Sequence, residues 1–333
     1  MPEPALVLLS QRLGPVTDVE RRIEATGLAV VRSCPLWTID DIRANAGAAD
    51  MIILGAVEPF DAEAIAALPR CRAIVRRGVG YDNVAVAAAT AAGIVVANVT
   101  DASVEEVSDH ALAMLLALER RVIALDGLVH DGRWQHDPSA IAAARAPIRR
   151  LRELTLGIVG FGRIGRALAR KSAGVYGRIV TFDPYVDPVA ATLLDVEPVG
   201  FDELLESADH VSLHAALTAG SRHLVDGDAL RRMRPGAVLV NTARGGVVDE
   251  AALLAALRTG ALAGAGLDVT EAEPVPPGSP LLEAEGLLLT GHSAVSSTTS
   301  TRELARRSVD AVVALLTGER PDSVVNPEVL ARR

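Results

Sequence analysis

Short apolar runs rich in β-branched residues alternate with alanine-rich stretches over the first hundred residues. Residues 5–9, 29–31, 51–54, 73–75 and 94–97 read as buried strands, and 62–68 and 84–92 carry helical spacing. Strands separated by helix-length patterns predict βαβ units and a parallel sheet. A long helix is predicted over 104–121. Ser103 can cap it, Glu105 and Glu106 fall in its first turn, and Arg120 and Arg121 at its end, each sign matching the helix dipole. Residues 131–150, irregular and arginine-rich, read as a linker. From Leu154 the alternation resumes, with strands at 155–159, 178–182, 211–213, 237–241, 262–267 and 287–289 and helices such as 163–172 and 250–259. A last helix, 299–317, ends at Gly318 as its C-cap. The pattern predicts two unequal α/β halves.

Composition narrows the function. Half of the 333 residues are hydrophobic, enough for two full cores. No uncharged apolar run approaches the roughly 18–20 residues of a membrane span, so no membrane association is expected. Met1-Pro2-Glu3-Pro4 lacks the basic start and apolar stretch of a secretory signal, and a cytoplasmic location is expected. Cys34 and Cys71 are the only cysteines and lack metal-ligand spacing, so neither a disulfide scaffold nor a metal site is expected. A net charge of −9 argues against a nucleic-acid partner. Lys171 is the sole lysine, and it stands too far from any Gly-rich turn for a Walker loop.

Gly160, Gly162 and Gly165 form a G-x-G-x-x-G between a predicted strand and a predicted helix, and Asp183 ends the next strand 18 residues beyond Gly165. This is the arrangement a dinucleotide requires. The first glycine turns the chain, the second lets backbone approach the pyrophosphate, the third lets helix pack on strand, and the acid accepts the ribose hydroxyls. Pro184 and Tyr185 follow Asp183 where a 2′-phosphate would need a base, which favours NAD over NADP. Three later strands end in polar segments: Asn241-Thr242-Ala243-Arg244, then Asp268-Val269-Thr270-Glu271-Ala272-Glu273-Pro274, then Thr290-Gly291-His292-Ser293-Ala294. Ligands bind at such strand ends in open α/β sheets.

Together these segments resemble the D-isomer-specific 2-hydroxyacid dehydrogenases, from Arg77-Gly78-Val79-Gly80-Tyr81-Asp82-Asn83 to Pro321-Asp322-Ser323. The resemblance implies an NAD-dependent oxidoreductase interconverting a 2-oxo acid and a D-2-hydroxy acid, with Arg244, Glu273 and His292 as catalytic residues. His292 would pass a proton to and from the substrate oxygen, Glu273 would orient its ring, and Arg244 would hold the 2-oxo acid with its planar fork. Val79 and Gly80 would bind the substrate carboxylate through backbone amides. Cofactor contacts are implied at Gly160, Gly162, Arg163, Ile164, Gly165, Asp183, His214, Thr242, Ala243, Asp268 and Ser293, with Asp268 near the nicotinamide carboxamide. The implied fold is α/β, with two Rossmann-like or flavodoxin-like domains of parallel strands. A discontinuous substrate domain (1–101 and 295–333) would flank an NAD-binding Rossmann domain (102–294), with hinge closure between them and a homodimer formed by the cofactor domains.

His110, His130, His136, His210 and His223 read as structural histidines, Glu271 as a solvated side chain and Trp134 as packing. Arg76 and Arg77 reach the substrate or form a surface ion pair. Two family prolines are absent, at Ala216 and Gly291, and the second change is expected to loosen His292. Residues 98–109 and 318–326 most resemble the carboxy-terminal binding proteins, though Val295 stands where those have tryptophan. The alternative function is therefore an NAD(H)-sensing, corepressor-like binding protein with little turnover. Leu54–Gly55 lacks the arginine with which phosphoglycerate dehydrogenases hold phosphate, which disfavours a phosphorylated substrate.

Overall fold

A computed structural model describes residues 3–332 and divides the chain into two compact units, Met1–Ser103 with Ser297–Arg333, and Val104–Ser296. The first unit holds strands β1 (Ala5–Ser10), β2 (Ala29–Cys34), β3 (Met51–Leu54), β4 (Ala73–Arg76) and β5 (Val95–Asn98). They pair in parallel in the order β2-β1-β3-β4-β5, the flavodoxin-like winding. Side chains of β3 alternate between two cores: Ile52 and Leu54 face one, Met51 and Ile53 the other. Both faces of the sheet are therefore covered, which is why the strand reads as a continuous apolar run. Each fully buried aliphatic side chain contributes about 1.5–3 kcal/mol.

The C-terminal segment is stitched into this unit along β5 by the Val325 amide on the Val96 carbonyl at 2.8 Å, the Ser323 hydroxyl on Asn98 at 2.6 Å, and above all by Asn326. Asn326 accepts from the Val96 amide at 2.7 Å and donates to the Ile94 carbonyl and the Thr90 hydroxyl, both at 2.9 Å, which satisfies the open edge of β5. Arg77 corrects one expectation. Its ion pair is buried, donating to Glu20 at 2.7 Å and to Ser308 at 3.1 Å, because Glu20 is already fixed inside by the Thr17 capping box.

The second unit holds β6 (Thr155–Val159), β7 (Arg178–Phe182), β8 (Glu197–Pro198), β9 (His210–Leu213), β10 (Ala237–Asn241), β11 (Leu262–Leu267) and β12 (Leu287–Leu289). The order β12-β11-β10-β9-β6-β7-β8 reverses direction between β6 and β9. That is the doubly wound Rossmann order with one further strand. The predicted long helix ends early, at Glu119, and Arg121 takes a left-handed φ of 55° before a new helix, Val122–His130. The expected linker is mostly helical, with Arg133–His136 and Pro138–Arg145. The reading missed Asp137, whose side chain accepts from the Ala140 amide while Pro138 opens the helix, a start signal hidden among arginines. Trp134 does not pack inside; it is 62% exposed.

At the N-terminal end of β9, His210 is sealed between Tyr176 at 2.7 Å and Glu119 at 2.9 Å, and Arg149 donates to Glu119 at 2.7 Å. Burial pushes the Glu119 carboxyl up, but the hydrogen bonds from His210 and Arg149 outweigh it and hold the group at about 2 against an ordinary 4.5. A depressed acid stabilises the fold above its unfolded value and loses that contribution as pH falls towards the folded value. The melting temperature should therefore drop between pH 4.5 and about 2. Glu119→Gln should be less stable at neutrality and show a shallower slope across that window by calorimetry.

Candidate active site

The C-terminal ends of six strands in the second unit lie in one register. Phe182 pairs with Val159, Val159 with Leu213, Leu213 with Asn241, Asn241 with Leu267 and Leu267 with Leu289. The next residue of each strand is Asp183, Gly160, His214, Thr242, Asp268 or Thr290, so these six form a line of about 24 Å at the usual strand spacing. Chain reversal at β6 and β9 opens the crevice beside Gly160 and His214. An added Cβ on Gly160, whose φ is +93°, would lie 2.7 Å from the His214 backbone, so the two loops meet with no room for a side chain. A Cβ on Gly165 would lie 2.2 Å from the Gly160 carbonyl oxygen, whereas one on Gly162 meets nothing within 4 Å. The space before the helix Arg163–Ser172 is thus open at Gly162, with Arg163 exposed and Ile164 half-buried on the first turn.

Asp183 is held ready by its neighbours, accepting from the Phe161 amide at 2.7 Å and the Tyr185 amide at 2.8 Å. Burial lowers the His214 ring to about 4, so it is neutral, with Nε2 on the Ser212 hydroxyl at 2.9 Å. Its Nδ1 and the Thr242 hydroxyl are buried without a hydrogen-bond partner among the described residues.

Farther along the line, the Asn241 amide donates to the Arg244 carbonyl at 2.8 Å and its oxygen accepts from the Ala243 amide at 2.9 Å, folding the turn that presents Arg244. Gly245 packs directly on the next loop, where an added Cβ would stand 1.9 Å from the Thr270 carbonyl carbon. In that loop Glu273 accepts from the Thr270 amide at 3.0 Å and from His292 Nδ1 at 2.6 Å. A carboxylate only accepts, so Nδ1 carries the proton and Nε2, with no protein partner among the described residues, faces outward. The side chains of His292 and Glu273 are 21% and 20% exposed. The site thus brings together Glu273 and His292, with the Arg244 loop packed against the loop of Glu273.

Gly291 and His292 both adopt left-handed backbone, with φ of 47° and 54°. Proline cannot reach that conformation, so glycine at 291 belongs to this loop geometry. A non-glycine residue there costs about 1–2 kcal/mol. The expected loosening of His292 is countered by Asp268. Its backbone oxygen accepts from the His292 amide at 2.6 Å, and its carboxylate accepts from Thr290 Oγ1 at 2.7 Å, Ser293 N at 2.8 Å and Ala294 N at 3.0 Å. That carboxylate is turned onto the loop and its side chain is 1% exposed. Thr290 and His110 are members of this cluster that sequence reasoning missed, since nothing local to residue 110 signals a partner 180 positions away. Glu271 is not simply solvated: it pairs with His223 at 2.8 Å.

A second histidine–glutamate pair, His210 with Glu119, is also hydrogen-bonded, at 2.9 Å, but differs in accessibility. Both its side chains are sealed, at 0% and 3%, and both ring nitrogens are engaged. It sits at the N-terminal strand end, away from the line, and serves the fold.

The sequence profile described as D-isomer specific 2-hydroxyacid dehydrogenase, NAD binding domain, matches residues 112–294. A glyoxylate reductase of Korarchaeum cryptofilum is 41% identical over 288 residues, 85% of each chain. The chain belongs to the D-isomer specific 2-hydroxyacid dehydrogenases. A D-3-phosphoglycerate dehydrogenase of Mycobacterium bovis is 35% identical over 96% of this chain, which spans 58% of that relative. Among solved structures, a glyoxylate reductase from Paecilomyes thermophila superposes with a TM-score of 0.85 at 29% identity, covering 98% of this chain and 100% of its own. As a member of this family, the protein is an NAD-dependent oxidoreductase that interconverts 2-oxo and D-2-hydroxy acids. The residues present fit the cofactor: an open glycine at a helix N-terminus suits a pyrophosphate, Asp183 a ribose, and the unpartnered His214 and Thr242 atoms polar groups laid along the line.

This geometry separates two glycines that the motif treats alike. Gly162→Ala should fold with an unchanged melting temperature yet bind NADH at least tenfold more weakly, because its methyl occupies only the open cradle. Gly165→Ala should lose both, because its methyl meets backbone. Calorimetry and NADH fluorescence titration on the two variants check the distinction.

Proposed function

We propose that this dehydrogenase reduces a small, unphosphorylated 2-oxo acid, with His292 as acid and base, Glu273 as its partner and Arg244 as the substrate clamp. The observation that carries the reading is the His292 ring, tied through Nδ1 to Glu273 with Nε2 open at the C-terminal edge of the sheet. In the reductive direction Nε2–H donates its proton to the substrate oxygen, and in the oxidative direction Nε2 takes it back. Glu273 compensates the charge on the imidazolium and keeps the ring from rotating. Arg244, half-buried, binds carboxylate and carbonyl oxygens through its fork. The bound nicotinamide supplies the hydride.

Val79 and Gly80 are assigned to the substrate carboxylate. They follow β4 on the loop after Gly78, and among the described residues neither amide has a hydrogen-bond acceptor. Asn98 donates to the Val79 carbonyl at 2.7 Å and so sets the loop's orientation. The absence of a phosphate-binding base rests on Gly55, beside which the buried Glu58 carboxylate stands, and on Arg76, turned onto the Arg77 carbonyl at 2.8 Å. NAD is preferred to NADP because Asp183 would meet the ribose with Pro184 and Tyr185 rather than a base following it in the chain.

The enzyme is further assigned to the cytoplasm, in keeping with its two cysteines forming no disulfide among the described residues, and to a homodimer. Helices Val122–His130 and Arg133–His136 have no buried residue, yet Val122, Ile123, Val129 and Trp134 are apolar and 45–62% exposed. A second copy covering them supplies the burial that the single chain leaves unmet.

NADH oxidation measured against glyoxylate, hydroxypyruvate, pyruvate, branched and aromatic 2-oxo acids and a phosphorylated analogue tests the assignment. His292→Ala should lower kcat by about 10²–10⁴ with NADH binding retained, and NADPH should be the poorer donor. Turnover surviving in His292→Ala, or a preference for the phosphorylated acid, would overturn it. Ile123→Glu with Trp134→Glu should shift the sedimentation coefficient from dimer to monomer.

A further inference from the structure

His110 lies on the helix Val104–Glu119 and is half-buried, with Nε2 at 2.9 Å from the Thr290 hydroxyl and 3.7 Å from Asp268 Oδ1. Proton counting fixes the direction of this chain. The buried Asp268 carboxylate accepts only, so the single hydroxyl proton of Thr290 is donated to it, at 2.7 Å. Thr290 can then receive from His110 only if Nε2 carries a proton. The relay runs from His110 through Thr290 to Asp268, and Asp268 binds the amides of His292, Ser293 and Ala294. Every residue of the strained loop bearing His292 is thereby flanked by a group that answers to Asp268.

We propose that His110 is a positioning residue for the acid–base histidine, acting through Thr290 and Asp268 and never touching the substrate. The proposal rests on His292 being the proton donor. Removing the Nε2 donor leaves Thr290 free to rotate away from Asp268, which loses the donor on the upstream side of the loop. Gly291, with no side chain to resist, then lets the ring drift from its line to the substrate oxygen. The glycine turn at Gly160 and the acid Asp183, expected to hold the pyrophosphate and ribose, lie at the other end of the line and are not touched by His110, so NADH affinity changes little. Such a drift lowers kcat more than it changes substrate KM.

The experiment compares His110→Phe, which keeps the bulk and loses the donor, with His110→Gln, whose side-chain amide restores a donor near Nε2. It adds Thr290→Val, the His110→Phe/Thr290→Val double variant and His292→Ala, with kcat, KM, NADH affinity by fluorescence and melting temperature measured for each. His110→Phe should lower kcat about tenfold, as small displacements of a reacting group do, with NADH affinity within about twofold of wild type. His110→Gln should recover most of that loss, and the double variant should be no slower than Thr290→Val alone, because both changes cut one chain. Wild-type kcat in His110→Phe, no recovery in His110→Gln, or additive losses in the double variant would each overturn the proposal. If His110→Phe does not fold, the His110→Gln and Thr290→Val pair decides by the same kcat criterion. Activity persisting in His292→Ala would instead sink the acid–base assignment itself, whereas an inactive His292→Ala beside a normal His110→Phe would sink only the relay.

Discussion

Parallel strands hydrogen-bonded in register end together, and in the second unit six of them do so along one edge. The backbone bonds continue one residue further: His214 donates to Val159, Asp268 to Asn241 and Thr290 to Leu267. The chain can therefore leave the sheet only from a line of fixed points, and Arg244, Glu273 and His292 stand on the loops that begin there, three to six residues beyond their strand ends. Because the apolar bodies of the strands are buried on both faces, a slip of one residue would turn buried side chains to the opposite face. Packing energy in the cores is what holds the functional edge in place.

Within that frame, Asp268 is a buried carboxylate that must be satisfied, and the loop of His292 satisfies it. The desolvation cost of the acid and the backbone strain of Gly291 and His292 are offset by the same hydrogen bonds. Glu273, tethered to the Thr270 amide, meets the ring from the neighbouring strand. One carboxylate thus shapes the loop and another orients the side chain it carries. The contrast with His210 and Glu119 shows why distance between a histidine and an acid is a poor guide by itself. That pair is also within hydrogen-bond distance, at 2.9 Å, but it is sealed, and its ring nitrogens are both spent on holding Tyr176 and Glu119 in the fold.

Much of this was legible in the sequence because it depends on local period and spacing. The strand ranges, the glycine motif before Arg163 and the polar residues after three apolar runs are properties of neighbouring residues. What failed was also local in appearance. Residues 131–150 looked irregular because arginines broke the apolar period, yet Asp137 and Pro138 start a helix there. Trp134 looked like packing because large aromatic residues are usually covered, and its exposure is visible only once the helices around it are found to bury nothing.

The sequence by itself determined two parallel-sheet halves and the dinucleotide motif, since β-branched runs and glycine spacings act through nearest neighbours, and its family resemblance singled out Arg244, Glu273 and His292. Tertiary structure alone decided the long-range polar partners outside that trio. His110 reaches Thr290 across 180 positions, Arg77 finds Glu20 across 57 rather than solvent, and Asn326 closes β5 from the far end of the chain. Such pairs carry no periodic signal. They form because the cores bring particular strand ends and helix faces together, and a buried polar group must take its partner from whatever the fold places beside it.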